Sequence, residues 1–356
     1  MEIVLIDLRI ICFPFLISLI LTPLIKRYSI WAEAYAKENH RTVHHGIISR
    51  IGGIAIFLAF ITMAPFFLQV DQAINGIVLG GSIMFFTGLV DDLIDIKPPV
   101  KLFFELVAAL VLIVNGVSVD AIHLPFGLVI DHPVFSFIFT LIWVAGITNA
   151  INLIDGLDGL AGGMSLIMLV VIGSVSVMER RLDVAVLTFL LASSTGGFLV
   201  YNAHPASIFM GDCGSLFLGF MISAISLLGF KGSTIVTLAL PMLLLCIPII
   251  DTLSAILRRT IKGMKFMQAD KSHIHHLLMA QFGHENTVII MCGMTALFGL
   301  CAFVYLYNST IGFAVMLLLL LIVELFIEKS AMISEHFHPL IGLYQRCKQR
   351  ILSFRK

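Results

Sequence analysis

The chain has very few charged residues for its length. Asp, Glu, Lys and Arg make up 12% of its 356 residues, whereas about a quarter of the residues in a soluble globular domain are charged. Apolar residues contribute 59%, and the mean hydropathy is +1.04. So few charges cannot cover the surface of a soluble globule. The composition therefore predicts an all-α polytopic membrane protein, and nothing in it favours nucleic-acid binding.

The sequence also lacks paired cysteines, and its first apolar run does not have the pattern of a cleavable leader. Its six cysteines include no CxxC pair, and most lie in or beside apolar runs, so neither a disulfide framework nor a zinc knuckle is indicated. The first apolar run has no basic segment before it and ends at residues 23–27, "PLIKR", instead of a small-residue cleavage site. This run is predicted to be a retained first span and not a signal peptide.

Long apolar windows predict about eleven membrane-spanning helices, each with roughly 17 to 25 residues. They lie near residues 3–25, 51–68, 74–92, 101–118, 133–151, 161–178, 184–201, 213–230, 234–257, 288–307 and 310–328. An odd number of spans places the two chain ends on opposite sides of the membrane.

The positions of the basic residues predict the orientation. Eighteen of the 22 Lys and Arg residues fall in gaps on one face, whereas only Arg180, Arg181 and Lys231 fall in gaps on the other. The positive-inside rule makes the basic face cytoplasmic. The chain is predicted to be one membrane domain over residues 1–356, with a cytoplasmic His-rich loop at 258–287 and a basic cytoplasmic tail at 329–356.

Four polar clusters interrupt the apolar background, and all of them fall on the predicted cytoplasmic face. They are "VDDLID", "NAINLIDGLDGLAGG", "YNAHPASIFMGDCGS" and "ADKSHIHHLL". Unpartnered polar groups at span ends are costly, so this distribution predicts chemistry at a single membrane edge.

Three acids, Asp91, Asp92 and Asp95, close the third predicted span. On a helix, Asp91 and Asp95 share a face, while Asp92 points about 100° away. Their mutual repulsion would be relieved by a divalent cation, a basic partner or a proton, and oxygen-rich sites suit Mg²⁺ or Mn²⁺. The alternative is an ordinary helix end with solvated acids, although acids at a helix C-terminus oppose the helix dipole.

The second and third clusters add further oxygen ligands. One series of amides and carboxylates recurs every three residues, so its members would occupy adjoining faces of a helix: Asn149, Asn152, Asp155 and Asp158. Asp212 stands between two glycines and is interpreted either as a helix N-cap or as a metal ligand facing the other acids. Phe209 is interpreted either as lipid-edge packing or as a stacking platform for a flat base.

The run His273, His275 and His276 at first suggests a metal site. A structural zinc ion needs about four nitrogen or sulfur ligands, and no cysteine is close in sequence. Basic residues surround the run, so these histidines are predicted to donate hydrogen bonds to phosphate or sugar oxygens. The alternative is that they are solvated loop histidines.

These stretches together resemble the polyprenyl-phosphate N-acetylhexosamine-1-phosphate transferase family (glycosyltransferase 4 family), which includes the phospho-MurNAc-pentapeptide translocase. Five motifs match in order: "GLVDDLIDI", "NAINLIDGLDGLAGG", "FMGDCGSLFLG", "PIIDTLSAILRR" and "ADKSHIHHLL". The forms "HIHH" and "DDLID" look more like the branch that uses UDP-N-acetylglucosamine than like the peptidoglycan branch.

The resemblance implies a reaction in which undecaprenyl phosphate attacks the β-phosphorus of a UDP-amino sugar. Transfer of N-acetylglucosamine-1-phosphate would release UMP and start a cell-envelope polysaccharide or teichoic acid. The implied cofactor is Mg²⁺, with Mn²⁺ as the alternative, and the implied location is the bacterial inner membrane with the site facing the cytoplasm. The implied partners are the UDP-sugar, the lipid phosphate and the membrane. The oligomeric state is left open, with a homodimer as one alternative.

The resemblance also implies roles for individual residues. The implied magnesium ligands are Asp212, Asn152 and Asp91. The implied catalytic residues are Asp91, Asp92 and Asp155, with Asp91 as the base that would take the acceptor proton. The implied contacts to the nucleotide, diphosphate and sugar are Asn149, Asn152, Asp155, Asp158, Asn202, Phe209, His273, His275 and His276, with Phe209 stacking on uracil.

The first cytoplasmic loop departs from the pattern of the UDP-N-acetylglucosamine branch, "VD-x-P-N-x-R-K-x-H". This chain reads "YAKENHRTVH" from Tyr35, which leaves the acceptor-side contacts and the sugar identity undetermined. A transporter of nucleotide sugars or lipid-linked sugars is the alternative function. Transporters bind their substrates near the bilayer midplane and show internal repeats, whereas this chain places its acids at one edge and shows no repeat.

Overall fold

The computed structural model describes residues 7–31, 48–69, 71–119, 122–123, 129–130, 132–229, 245–261 and 273–329. Apart from one hairpin of two-residue strands, the regular structure in these ranges is helical, which confirms the predicted all-α fold class. The divergent first loop from Tyr35 and the basic tail after Lys329 lie outside the described residues.

Twelve helices and two short strands make up the regular structure of the described ranges. They are α1 (Leu8–Trp31), α2 (Gly53–Phe67), α3 (Gln72–Ile94), α4 (Pro98–Val114), β1 (Ile122–His123), β2 (Val129–Ile130), α5 (Pro133–Ile154), α6 (Leu160–Met178), α7 (Leu182–Asn202), α8 (Gly211–Gly229), α9 (Cys246–Ile261), α10 (Ile274–Phe282), α11 (His284–Tyr307) and α12 (Ser309–Lys329).

Eight of the described helices are long and apolar enough to cross a membrane: α1, α3, α5, α6, α7, α8, α11 and α12. Helices α2, α4 and α9 are shorter and overlap the other three predicted spans. The structure therefore supports a polytopic membrane protein, and the total of about eleven spans stays a prediction.

Helix α8 forms the centre of the bundle. Every residue from Cys213 to Leu228 is buried, and α3 and α5 make the most extensive contacts with it. The helix contains only small or apolar residues after Asp212, so it can be enclosed by other helices without an unpaired charge. The only carboxylate of α8, Asp212, lies in its first turn, next to the ends of the surrounding helices.

A backbone pairing fixes the loop before α8. The N–H of Phe209 donates to the carbonyl of Ser49 at 2.8 Å, and the N–H of Gly53 donates to the carbonyl of Met210 at 2.8 Å. Gly211 then adopts φ +73°, and a Cβ at this position would lie 1.7 Å from the carbonyl oxygen of Arg50. Only glycine fits this conformation and this close approach.

The structure corrects the interpretation of the "NAINLIDGLDG" motif as one continuous helix. Helix α5 ends at Ile154, and Asp155 already has non-helical backbone angles, φ −70° and ψ 47°. Asp158 lies in the turn between α5 and α6. The four residues therefore do not share adjoining helix faces, because α5 ends before Asp155 and Gly159, with φ +73°, completes the turn to α6.

The described part of the predicted histidine loop is also helical. Arg258 and Arg259 lie in the last turn of α9, and α10 begins directly after His273. Gly283, with φ +77°, separates α10 from α11. Residues 262–272, including Asp270 and Lys271, lie outside the described residues.

Candidate functional site

A lysine stands between two of the predicted site carboxylates. The Nζ of Lys101, in the first turns of α4, forms ion pairs with Asp91 at the end of α3 and with Asp212 at the start of α8. Asp91 is 8% exposed, and its other oxygen accepts a hydrogen bond of 2.7 Å from the N–H of Ile96. A basic partner, one of the three means of relief considered from sequence, is thus present.

Asn152 joins the same group from α5. Its side-chain amide lies 3.1 Å from the carboxylate of Asp212 and 2.8 Å from the hydroxyl of Ser215. Asp212 is the second residue of α8 and directs its carboxylate to Lys101 and Asn152, so the N-cap interpretation of this residue is wrong. The implied magnesium ligands Asp91, Asn152 and Asp212 therefore lie together.

Asp92 points in another direction, as the helical spacing predicts. Its two carboxylate oxygens accept hydrogen bonds from the backbone N–H groups of Asp212 and Cys213, both at 2.9 Å. These N–H groups belong to the first turn of α8, where backbone N–H groups have no carbonyl acceptor within the helix. Asp92 therefore acts as an N-terminal cap supplied by a different helix, in addition to lining the cavity described next.

A cavity of about 240 Å³ opens beside this group. Thirteen residues line it: Arg50, Asp92, Asp155, Gly156, Leu157, Asp158, Asn202, Phe209, Gly211, Asp212, His276, Met279 and His284. Burial, together with the neighbouring carboxylates of Asp212 and Asp92, raises the pKa of Asp155 to about 8. Desolvation is the largest cause of this shift, and repulsion from the two neighbouring carboxylates adds to it.

The turn between α5 and α6 is tied to the loop before α8. Asp158 is 3% exposed and accepts from the N–H of Ala206 at 3.1 Å, with the Nδ1 of His204 at 2.9 Å from the same oxygen. Asn202 accepts from the N–H of Gly159 at 3.2 Å and donates to the carbonyl of Ile208 at 3.0 Å. These bonds hold Asp158 and Asn202 at the cavity wall, near Phe209.

The three histidines of the "HIHH" run do not share one environment. His273 and His275 are 4% and 2% exposed and lie against the buried Asp251 of α9, whereas His276 lines the cavity. Asp251 accepts a hydrogen bond of 2.8 Å from the N–H of Ile274, and the Nδ1 of His273 lies 3.1 Å from its other oxygen. Asp251 thus caps α10 and orients its first residue.

Burial also determines the state of His275. Its desolvation, followed by its proximity to the ring of His276, lowers the pKa of His275 to about 4. A Cβ on Gly156 would lie 2.8 Å from the Nε2 of His275, so glycine allows α10 to approach the turn after α5. His275 is therefore neutral and buried, and it contributes to helix packing. Of the three histidines, only His276 lines the cavity and can contact a substrate there.

Asn149 is a further predicted contact residue outside the cavity lining, as are Asn152, His273 and His275. Its amide donates to the carboxylate of Glu105 on α4 and to the carbonyl of Ala145 at 2.9 Å. Glu105 is 1% exposed, so this pair satisfies a buried acid between α4 and α5. The structure gives Asn149 a helix-packing position.

Sequence reasoning missed several residues of the site. In the sequence alone, Lys101 and Arg50 are only two of the basic residues on one predicted face, and Asp251 is only one residue of the motif "PIIDTLSAILRR". Their connection to the acids depends on which helix ends meet, and no local spacing reveals this. A signal did exist for Lys101, because a lysine that lies ten residues after Asp91 begins the next apolar span.

Comparisons with known proteins show which family this chain resembles. The family model of glycosyl transferase family 4 matches residues 74–230, from the first turn of α3 to the end of α8. A relative from Bacillus subtilis, named probable undecaprenyl-phosphate N-acetylglucosaminyl 1-phosphate transferase, is 37% identical over 93% of this chain and 94% of its own.

More distant relatives have related names. A decaprenyl-phosphate N-acetylglucosaminephosphotransferase from Mycobacterium tuberculosis is 33% identical over 73% of this chain and 72% of its own. An undecaprenyl-phosphate alpha-N-acetylglucosaminyl 1-phosphate transferase from Thermotoga maritima is 30% identical over 82% of this chain and 91% of its own. The chain therefore belongs to glycosyl transferase family 4, the polyprenyl-phosphate N-acetylhexosamine-1-phosphate transferases.

Proposed function

We propose that the protein transfers N-acetylglucosamine-1-phosphate from UDP-N-acetylglucosamine to undecaprenyl phosphate, with release of UMP. An oxygen of the lipid phosphate would attack the β-phosphorus of the donor, and the bond from this phosphorus to the oxygen bridging it to the α-phosphorus would break. The observation that best supports this proposal is that four helices bring four polar side chains together beside one cavity: Asp91, Lys101, Asn152 and Asp212. The relatives' names support the acceptor and sugar and give the transporter alternative no support.

The residues of the site fit a magnesium ion. Asp91, Asp212 and the amide of Asn152 offer the oxygen ligands that Mg²⁺ prefers, and Asp155 is a further acid beside them. Burial and neighbouring carboxylates raise the pKa of Asp155 to about 8. A bound divalent cation would lower this pKa, because it would stabilise the charged carboxylate. When bound, the ion would supply charge neutralisation for the diphosphate.

Lys101 gives the site a positive charge of its own. Its ammonium group already contacts Asp91 and Asp212, and one side chain can exchange a carboxylate for a phosphate oxygen by rotation of its flexible stem. We infer that Lys101 holds a phosphate of the donor or the acceptor during transfer. Arg50, on the cavity wall, would hold another phosphate oxygen.

The other end of the cavity suits the nucleoside. Phe209 offers an aromatic face for stacking with uracil, and Asn202 and Asp158 are fixed by hydrogen bonds close to it. His276 lies on the wall contributed by α10 and would donate a hydrogen bond to the sugar or diphosphate. Asp91 stays the proposed base for the acceptor, although a phosphate monoester is already largely ionised at neutral pH.

The location of the site explains how a water-soluble donor would meet a lipid acceptor. The acids and Lys101 lie at helix ends, where an aqueous nucleotide and a membrane-embedded polyprenyl chain can both reach them. The basic residues predicted on the same side support a position on the cytoplasmic face of a bacterial inner membrane.

The test is an assay with the full chain purified in detergent. UDP-N-acetylglucosamine, undecaprenyl phosphate and Mg²⁺ should yield UMP and a lipid-linked sugar, and EDTA should abolish both products. Asp212→Asn should lose activity, whereas the matched control Asp183→Asn, an exposed acid at the start of α7, should keep it. UMP formation that is unchanged by EDTA and by Asp212→Asn would refute the proposal.

A further inference from the structure

A second group of side chains that could hold a metal ion lies beside the cavity, apart from the oxygen ligands around Asp212. It consists of Asp158 in the turn after α5, His204 in the loop after α7 and His284 at the start of α11. One carboxylate oxygen and one nitrogen from each ring all lie within 4.8 Å of one another. Three separate segments of the chain therefore supply these three side chains.

The distances suit a shared ion. The Nδ1 of His204 lies 2.9 Å and the Nε2 of His284 lies 4.0 Å from the same carboxylate oxygen of Asp158. Metal–ligand bonds of about 2.0–2.1 Å in a tetrahedral zinc site place neighbouring ligand atoms roughly 3.3 Å apart. The observed distances bracket this value, so small side-chain movements would complete the geometry.

The donor atoms distinguish this site from the proposed magnesium site. Two imidazole nitrogens and one carboxylate favour a borderline cation such as Zn²⁺, whereas Mg²⁺ prefers oxygen ligands alone. The rings of His204 and His284 stack with their centroids 4.2 Å apart, so the two imidazoles lie side by side next to Asp158. The N–H of Ala206 holds the carboxylate of Asp158 in place, as outer hydrogen bonds do for metal ligands.

We propose that Asp158, His204 and His284 form a binding site for Zn²⁺, with a fourth position open to water. Asp158 and His284 line the cavity, whereas His204 is not part of the lining and contacts both of them. A bound ion would therefore engage the nucleoside end of the cavity and weaken donor binding. This consequence for the donor rests on the proposed function, and the ion binding itself does not.

Zinc binding is measured directly on the full chain in detergent, after removal of metals, by competition with a chromophoric zinc chelator. The wild type should bind one equivalent at this site, and His204→Gln or His284→Gln should each weaken it at least about tenfold through loss of one of three ligands. His132→Gln, which alters the exposed histidine just before α5, is the matched control and should bind as the wild type does.

His276→Gln tests the nearby histidine run in the same assay. Binding that is lost in His276→Gln and kept in His204→Gln and His284→Gln would overturn the proposal, as would unchanged binding in all the variants. Thermal unfolding of each variant shows whether the fold is retained. Because this assay needs no turnover, it can succeed or fail independently of the transferase reaction.

The effect on the donor has its own readout. Zn²⁺ should raise the KM for UDP-N-acetylglucosamine in the wild type and should have little effect in His204→Gln, whose altered side chain does not line the cavity. Inhibition of equal strength in His204→Gln would assign the zinc to the oxygen ligands around Asp212 and contradict the proposed site.

Discussion

The carboxylate of Asp92 accepts a hydrogen bond of 2.9 Å from the backbone N–H of Asp212, so one acid of the site positions the other. The second oxygen of Asp92 holds the N–H of Cys213 in the same way. Through this contact the end of α3 fixes the start of α8, the central helix of the bundle. The position of Asp212 therefore depends on tertiary packing as well as on its own helix.

Asp92→Asn should destabilise the protein more than Asp212→Asn does. An asparagine can accept only one of the two N–H groups of α8, and an unmade bond to a buried group costs about 1–3 kcal/mol. Thermal unfolding in detergent measures this difference, with Asp183→Asn as the exposed control. Equal melting temperatures for Asp92→Asn and the wild type would contradict the capping role.

Lys101→Met should separate cation binding from turnover. Without the ammonium group, Asp91 and Asp212 face each other with uncompensated charge, so less Mg²⁺ should be needed for half-maximal thermal stabilisation. Turnover should fall by roughly a hundredfold or more, the effect of losing one group that stabilises transferring charge. Lys97→Met, which alters an exposed lysine at the start of the same helix, is the matched control.

A rise in the Mg²⁺ concentration needed by Lys101→Met would show that the lysine supports cation binding. That outcome would contradict the competition between Lys101 and the ion. Normal turnover of the variant would remove Lys101 from the phosphate-binding role.

Acidification should destabilise the protein through His275. Its folded-state pKa of about 4 lies below the ordinary value of 6.5, so the unfolded chain binds a proton first as the pH falls. The stability from this group is complete above about pH 6.5 and decreases toward pH 4, by about 2 kcal/mol at pH 5. Thermal unfolding between pH 7.5 and 5 measures it, and His275→Asn should show a shallower pH dependence than the wild type. An identical slope for both proteins would refute the assignment.

Phe209→Leu should weaken nucleotide binding and leave the transfer step nearly intact. Stacking of a base on an aromatic side chain contributes about 1–3 kcal/mol, so the Kd for UMP should rise by roughly five- to a hundredfold. Phe209→Tyr keeps the aromatic face and should bind UMP as the wild type does. Calorimetric titration compares the three proteins, and equal affinity in Phe209→Leu would place uracil elsewhere.

Asp251→Asn should weaken donor binding, although Asp251 does not line the cavity. The variant keeps one acceptor oxygen but places an amide group toward either the N–H of Ile274 or the ring of His273. The start of α10 would lose part of its cap, and His276 would shift on the cavity wall. The KM for the donor should rise more than kcat falls. A kcat loss with an unchanged KM would argue against this positioning role.

The sequence predicted which residues carry polar groups at the helix ends, and the structure supplied how they pair. The acids of "VDDLID" and Asp212 could be assigned to one face from the order of the spans, because apolar length alone fixes where a span ends. The capping of α8 by Asp92 could not be foreseen, because it depends on the contact between two helices more than a hundred residues apart.

The histidine run shows the same limit. Its basic neighbours favoured contacts with phosphate, but in the structure His273 contacts the buried Asp251 of α9. His275 is itself buried, at 2% exposed. Only the side chain that a helix directs away from its core, His276, stays at the cavity. Local charge indicates the chemistry of a segment, whereas burial decides which side chains are available for it.

The most direct measurement uses UDP-N-acetylglucosamine labelled with ³²P in the β-phosphate and ³H in the sugar. Incubation with undecaprenyl phosphate, Mg²⁺ and the purified chain should move both labels into the lipid phase in equal amounts, with one UMP released for each. Transfer of ³H alone would mean that the sugar moves without its phosphate. That result, or label in the lipid phase with Asp212→Asn at the wild-type rate, would contradict the proposed function.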